Sequence, residues 1–277
     1  MLKNCTICTF LSALTRIVLS VNNIITYEFP LNEKIRIFIR LEHLFNQFIH
    51  FSANPDINDK RAAISVLLDI ISIFKRTDLR SEVLKELTRQ NTVLKKISNN
   101  EGVNKEKLQG RLDQVDEVTK KLHGMTEKKV FGNIDNSLLQ SIAQRSSIPG
   151  GSCSFDLPEF HYWLTQSEED KVKDLENWFR PFVNINTALT YILNSIRNSC
   201  NPKSETALAG FYQIALDQNQ PYQLIRLDLD KSIHCFAEIS GGKHRCNIRF
   251  MEVSPDNKSP VQCVKDIPFT LTRCLFS

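Results

Sequence analysis

The chain reads as an α+β protein, a mainly α-helical domain with a smaller antiparallel β domain, and three observations predict it. Between Leu31 and Cys200 apolar residues recur mostly at helical spacing, and from Thr206 onward they alternate with polar ones at period two. Between residues 147 and 156 the string Ser-Ile-Pro-Gly-Gly-Ser-Cys-Ser-Phe-Asp interrupts the helical pattern with a turn signal followed by small, β-compatible residues, which reads as a strand insertion. The expected organisation is therefore a helical domain over 27–145 and 157–200 and a β domain over 146–156 and 201–277, preceded by an extension over 1–26.

The first predicted helix runs from Leu31 to Phe51, with Leu31, Ile35, Phe38, Ile39, Leu41, Leu44, Phe45 and Phe48 on one side and Asn32, Glu33, Lys34 and Arg36 opposite. Pro30 suits its first turn. The second, from about Lys60 to Phe74, carries so many apolar residues that it is expected at the centre of the helical core. Leu79 to Ile97 and Leu108 to Leu122 read as two long charged helices, with Asn and Gly in the linker marking an end and a new cap. In the latter, Leu108, Leu112, Val115, Thr119 and Leu122 form a narrow seam that packs one partner helix, so an antiparallel hairpin is expected. It is either folded on its own core or an arm used in dimerisation. A short helix over Ser137 to Arg145 precedes the strand insertion. Helices return at Leu157 to Leu164, at Ser167 to Phe179 with Ser167 capping over Asp170, and at Ile185 to Cys200. Strands are expected at Gln223 to Leu229, His234 to Ser240, Arg245 to Glu252 and Pro268 to Phe276.

The 277 residues include 42% apolar ones, enough for a sizeable core, and the net charge of +4 is too small for a generic nucleic-acid binder. An anionic partner has to be met by a local patch. The eight cysteines lack the regular spacing of a secreted disulfide scaffold and read as reduced thiols in a cytosolic protein. Cys5 and Cys8 form a lone CxxC without the further ligands that structural zinc needs. In the first twenty residues Arg16 interrupts the apolar run, so no membrane-spanning helix is expected there. Three readings stay open for this segment: a targeting sequence, a loose helical extension, and a true start near Val21.

Along Lys243-His244-Arg245-Cys246-Asn247-Ile248-Arg249-Phe250, Cys246, Ile248 and Phe250 are expected to face the core. Lys243, Arg245, Asn247 and Arg249 then line the outer face, where guanidinium forks held on a rigid strand suit carboxylates. The alternative is a solvated face balanced by Asp228 and Asp230 on a neighbouring strand. Exposed pairs of this kind are each worth about 0.2–1 kcal/mol, so an acidic peptide bound here alone is held weakly. Nucleic acid is the rival ligand, although the sheet lacks interleaved exposed aromatics for stacking bases. Cys153, Asp156 and His161 include the residue types of a nucleophile, a base and an orienter, but such a strand-to-helix segment is common. No phosphate-binding glycine motif is present. Trp163 and Trp178 are expected in the core.

Several strings resemble the ZapD family of bacterial cell division proteins. They are Tyr27-Glu28-Phe29-Pro30-Leu31-Asn32-Glu33-Lys34-Ile35-Arg36, Leu79-Arg80-Ser81-Glu82-Val83-Leu84-Lys85-Glu86-Leu87 and the 147–158 segment. Gly210-Phe211-Tyr212-Gln213 and Ile239 to Arg245, running on to Met251, complete the set. The resemblance covers about residues 27–252. It implies a symmetric homodimer of an α-helical and a β-domain that binds the C-terminal tail of the tubulin-like division GTPase FtsZ and bundles its filaments at mid-cell in the cytoplasm. It implies no catalysis, cofactor, nucleic-acid partner or membrane insertion. The family's basic tail-binding surface looks matched by Arg76, His161, Lys243, Arg245 and Arg249. One departure is that the family can carry a basic residue near Ile134-Asp135-Asn136, where this chain has none.

Overall fold

The computed structural model describes residues 23–98, 104–124, 136–217, 219–242, 244–253 and 259–276, and these fall into two units, one over 40–190 and one combining 23–39 with 191–276. The readings for residues 1–20, including Cys5 and Cys8, lie outside the described residues.

The helical elements start where polar side chains can satisfy free N–H groups. Helix α1 (Glu33–Ala53) opens with the Asn32 side chain accepting from the Ile35 N–H at 2.9 Å, so the cap is Asn32 and not Pro30, which ends a strand. Asp56 caps α2 (Ile57–Arg76), Asp78 caps α3 (Leu79–Ile97), Asn104 caps α4 (Lys105–His123) and Asn136 caps α5 (Ser137–Arg145). Ser167 caps α7 (Glu168–Phe179) by accepting from the Asp170 N–H, as expected, while α6 (Pro158–Leu164) starts on a proline. Helix α8 (Val183–Arg197) follows a single 3-10 turn.

Aromatic rings knit the first unit together. Phe48 stacks on Phe179 at 4.4 Å, Phe45 meets the same ring edge-on, and Phe74 packs on Phe182. Trp163 and Trp178 are both buried, and the Trp163 indole N–H donates to Asp174. Helices α3 and α4 form the expected antiparallel hairpin. Arg80 donates to the Leu122 and His123 carbonyls at the far helix end, and Asn91 donates to Asp116. Leu108, Val115, Val118 and Leu122 are the buried seam of α4.

Residues 146–156 are not a strand. Pro149 has no N–H to give a ladder, Gly150 sits at φ 72°, and the Gly151, Cys153 and Asp156 N–H groups each donate three residues back. This run of turns lies within the 40–190 unit, so it is no part of the β domain. The Arg145–Asp156 pair at 3.0 Å ties its ends, and Arg61 donates to Ser152.

The second unit is a sandwich of two four-stranded antiparallel sheets. One has the order β1 (Ile24–Pro30), β4 (Leu224–Asp230), β8 (Ile267–Cys274), β2 (Lys203–Ala207). In the other, β6 (Arg245–Glu252) lies between β3 (Phe211–Ala215) and β5 (Phe236–Gly241), with β7 (Val261–Gln262) also paired to β6. Their inward side chains, among them Ile225, Leu227, Phe269, Ile248 and Phe250, form one buried cluster. Strand β1 was expected to belong to the extension and the helical domain, yet Ile24 to Pro30 pair in register with Asp230 to Leu224. Glu28 on β1 accepts a bidentate pair from Arg197 at 2.7 and 2.8 Å.

A two-residue turn joins β2 to β3: Leu208 and Phe211 bridge each other around Ala209 (φ 47°) and Gly210 (φ 70°). Two positive φ values are the mirror-image turn that hairpins favour, but a Cβ at the first position costs roughly 1–2 kcal/mol. Gly210 has no alternative, because an added Cβ would lie 2.5 Å from the Cys263 carbonyl oxygen.

Two buried lysines share one partly exposed carboxylate in the helical unit. The Lys60 ammonium, fully enclosed, contacts Glu168 at 2.6 Å and donates to the Ser52 carbonyl at 2.7 Å, while buried Lys171 lies 3.5 Å from the same carboxylate. Removing Glu168 takes the carboxylate from two buried cations, leaving Lys60 the Ser52 carbonyl and Lys171 the Leu164 carbonyl, whereas Lys60→Met removes one cation and keeps the apolar stem. Glu168→Ala is expected to destabilise by about 2–3 kcal/mol and Lys60→Met by about 1 kcal/mol in urea unfolding; equal losses contradict this account.

Candidate functional site

The physical basis of the basic face is the burial pattern of β6. Cys246, Ile248 and Phe250 are fully buried in the sandwich core, and Arg245 and Arg249 are exposed on the opposite face with half-buried Asn247 between them. Alternation puts the two guanidinium stems about 13 Å apart along the strand. One carboxylate cannot reach both, but an extended acidic peptide can.

Cross-strand neighbours define the rest of the face. Arg245 stands opposite Ala215, too small to cover it, and Arg249 lies between Phe211 on β3 and Glu238 on β5. Gln213 donates to the Asn247 side-chain carbonyl at 3.0 Å, which leaves the Asn247 amide N–H groups to point elsewhere. Among the described residues neither arginine has a carboxylate within 4.0 Å. Asp228 and Asp230 do not neutralise them, because β4 lies in the other sheet. There Asp228 engages Thr26 and Arg226, and Asp230 accepts from Asn23 and Ser232. The expectation of a face without exposed aromatics also needs correction, since Phe211 is 39% exposed opposite Arg249.

Lys243 lies outside the described residues. Arg76 and His161 belong to the helical unit. Arg76 is exposed in the last turn of α2, where the helix C-terminus favours a cation, and it borders a cavity of about 420 Å³ with Lys75, Leu139 and Gln140. His161 is exposed on α6 beside Tyr162, which is 68% exposed. An adjoining cavity of about 340 Å³ shares Leu68 and Ser146 with the first and carries Arg61 and Arg145, two cations that strand-based reasoning did not single out. Their signal lay in helical spacing along α2 and α5, visible only once the two helices are known to be neighbours.

Of Cys153, Asp156 and His161, Asp156 pairs its carboxylate with Arg145 at 3.0 Å, and Cys153 and His161 are exposed. Among the described cysteines all six are free, and burial pushes the Cys263 and Cys274 thiols up to about 12, far from thiolate chemistry at neutral pH. Among the described residues there is no cluster of three or more ligands suited to a metal ion, and no helix long and apolar enough to cross a membrane.

The chain, a helical unit and a sandwich with a basic face, matches one family of known proteins. The family model for the cell division protein ZapD matches residues 39–249. Similar proteins, each named cell division protein ZapD, come from Methylococcus capsulatus (40% identical, 91% of this chain, 99% of the relative), Nitrosomonas eutropha (38%, 90% and 99%) and Coxiella burnetii (37%, 90% and 97%). The chain belongs to the ZapD family of cell division proteins.

The β5–β6 turn fixes where Arg245 stands. Gly241 adopts φ 154°, and a Cβ there would sit 2.4 Å from the Arg245 carbonyl oxygen and 2.6 Å from the Cys246 Cα. Gly241→Ala is therefore expected to cost about 1–3 kcal/mol and to weaken anion binding at this face. Thermal unfolding together with a salt-dependent binding assay checks both effects, and wild-type stability in the variant contradicts the assigned geometry.

Proposed function

We propose that this protein is a homodimeric cross-linker that binds the C-terminal tail of the tubulin-like GTPase FtsZ and bundles its filaments during Z-ring assembly in the cytoplasm. The observation that carries the reading is the outward pair Arg245 and Arg249, exposed and without an ion-pair partner among the described residues. Lys243, Arg76 and His161 are assigned to the same task through the family resemblance.

The weakness of exposed charge pairs suits such a role. Each contact contributes about 0.2–1 kcal/mol, so a single tail dissociates readily. A dimer offers two sites and a filament offers many tails, and avidity raises apparent binding by about 10²- to 10⁴-fold without further contacts. Cross-links made this way form along a filament and remain reversible. The reading assigns the chain no catalytic step.

Charge reversal at both arginines, Arg245→Glu with Arg249→Glu, is expected to abolish FtsZ co-sedimentation as bundles. Arg249→Glu also sets a carboxylate against Glu238, a like-charge pair worth some tenths of a kcal/mol against the sheet, so the neutral pair Arg245→Ala with Arg249→Ala serves as companion. Both double variants should keep thermal stability within about 0.5–1 kcal/mol of wild type, because the side chains are exposed. FtsZ lacking its tail should fail to bundle with the wild-type protein. Undiminished bundling by either arginine double variant overturns the site, and salt-sensitive binding to DNA or RNA in place of the tail favours the nucleic-acid reading.

A further inference from the structure

We infer that the Leu208–Phe211 turn is an apolar anchor site beside the arginines, which makes the bound segment aliphatic as well as acidic. The inference rests on the tail-binding reading and names the chemistry of the peptide which that face accepts.

The register places the groups. Leu208 bridges Phe211 across the turn, Phe211 pairs with Arg249, and Arg249 pairs with Glu238, so these four side chains share one face in a row running across the strands. Steps of about 5 Å separate neighbouring strands, which puts an apolar pair within one extended residue or two of the Arg249 guanidinium. Leu208 is 69% exposed and Phe211 39%. Val264 adds a third exposed aliphatic next to the turn, because it follows Cys263, whose carbonyl oxygen occupies the space a Gly210 Cβ would need.

Single exposed apolar residues are ordinary on protein surfaces. This pair differs in how it is held. Ala209 occupies a left-handed conformation that costs a side-chain-bearing residue free energy, and side chains from beyond the turn brace it there. Asp266 accepts from the Ala209 N–H at 2.9 Å, Gln262 donates to the Ala209 carbonyl at 2.9 Å, and the Phe250 N–H donates to the Gly210 carbonyl at 2.8 Å. A rigid, strained tip that points two apolar side chains at solvent is preorganised, so binding there loses little conformational freedom.

Charge selects the occupant. Arg249 wants a carboxylate next to the apolar contact, Glu238 beyond it disfavours further acids in that direction, and Arg245 draws a second carboxylate along the strand. The fitting segment is an extended peptide with an aliphatic side chain adjacent to one carboxylate and another carboxylate about four residues away.

The test is a fluorescence anisotropy titration of FtsZ tail peptide into the full-length chain at low and high salt. Leu208→Ser with Phe211→Ser is expected to weaken binding about tenfold at both salt concentrations, the effect of losing a modest apolar contact. Arg245→Ala with Arg249→Ala is expected to weaken it mainly at low salt. A tail peptide with its aliphatic residues replaced by serine should bind the wild type about tenfold more weakly and should lose nothing further on the apolar variant, the signature of a shared contact. Leu208→Gln, which leaves half-exposed Phe211 in place, gives the same answer with a smaller loss if the double variant unfolds. Unchanged tail affinity in both apolar variants overturns this inference and leaves the tail reading standing, provided the arginine variant still loses binding. Failure of the wild type to bind the tail overturns both. Loss, in the apolar variant, of wild-type binding to oligothymidine or to vesicles of equal parts phosphatidylcholine and phosphatidylglycerol, with tail binding intact, assigns the patch to another ligand and overturns it as well.

Discussion

Burial of one face of β6 is the constraint on which the rest of the functional geometry depends. Cys246, Ile248 and Phe250 are completely enclosed in the sandwich core, and burying side chains of this size contributes about 1.5–3 kcal/mol for the larger ones. Mutual repulsion between guanidinium groups about 13 Å apart in water is far smaller. Because side chains alternate, a slip of one residue would exchange the buried set for Arg245, Asn247 and Arg249, at a desolvation cost no arrangement of this core could offset. The arginines are thus held outward by the hydrophobic residues between them.

The same logic runs through the neighbouring strands. Phe211, Gln213 and Ala215 face outward because Tyr212 and Ile214 face the core, and Glu238 and Ser240 face outward because Ala237 and Ile239 pack inward. The chemical character of the face is decided by which residues those outward positions hold: small opposite Arg245, aromatic and acidic on the two sides of Arg249. The turns at Gly241 and Ala209–Gly210 then fix the ends of the strands that carry them.

Much of this was legible in the residues. The α3–α4 hairpin, the caps at Ser167 and the α4 start, the buried tryptophans and the inside-outside order of β6 all follow from periodicities that one segment sets by itself. Two elements were misread for reasons of context. Ile24 to Pro30 alternate, but an alternating run beside an amphipathic helix gains its meaning only from β4, nearly two hundred residues later, whose edge it completes, and from the Arg197 fork that takes Glu28. The 147–156 stretch has strand-compatible residues, yet among the described residues it pairs with no strand. Pro149 and Gly150 turn it back on itself, and Arg145 and Asp156 close the loop.

By itself the sequence determined the fold class, the helical and β regimes, the family and the outward placement of Arg245 and Arg249, since each depends on spacing within a single segment or on strings of residues. Tertiary structure alone decided who stands beside those arginines. It moved Asp228 and Asp230 into the other sheet, set Glu238 and Phe211 on either side of Arg249, and brought Leu208 round a strained turn onto the same face. The reason is physical: period-two alternation is written locally, whereas strand neighbours are chosen by long-range pairing that buries the most apolar surface, and no single strand carries that information.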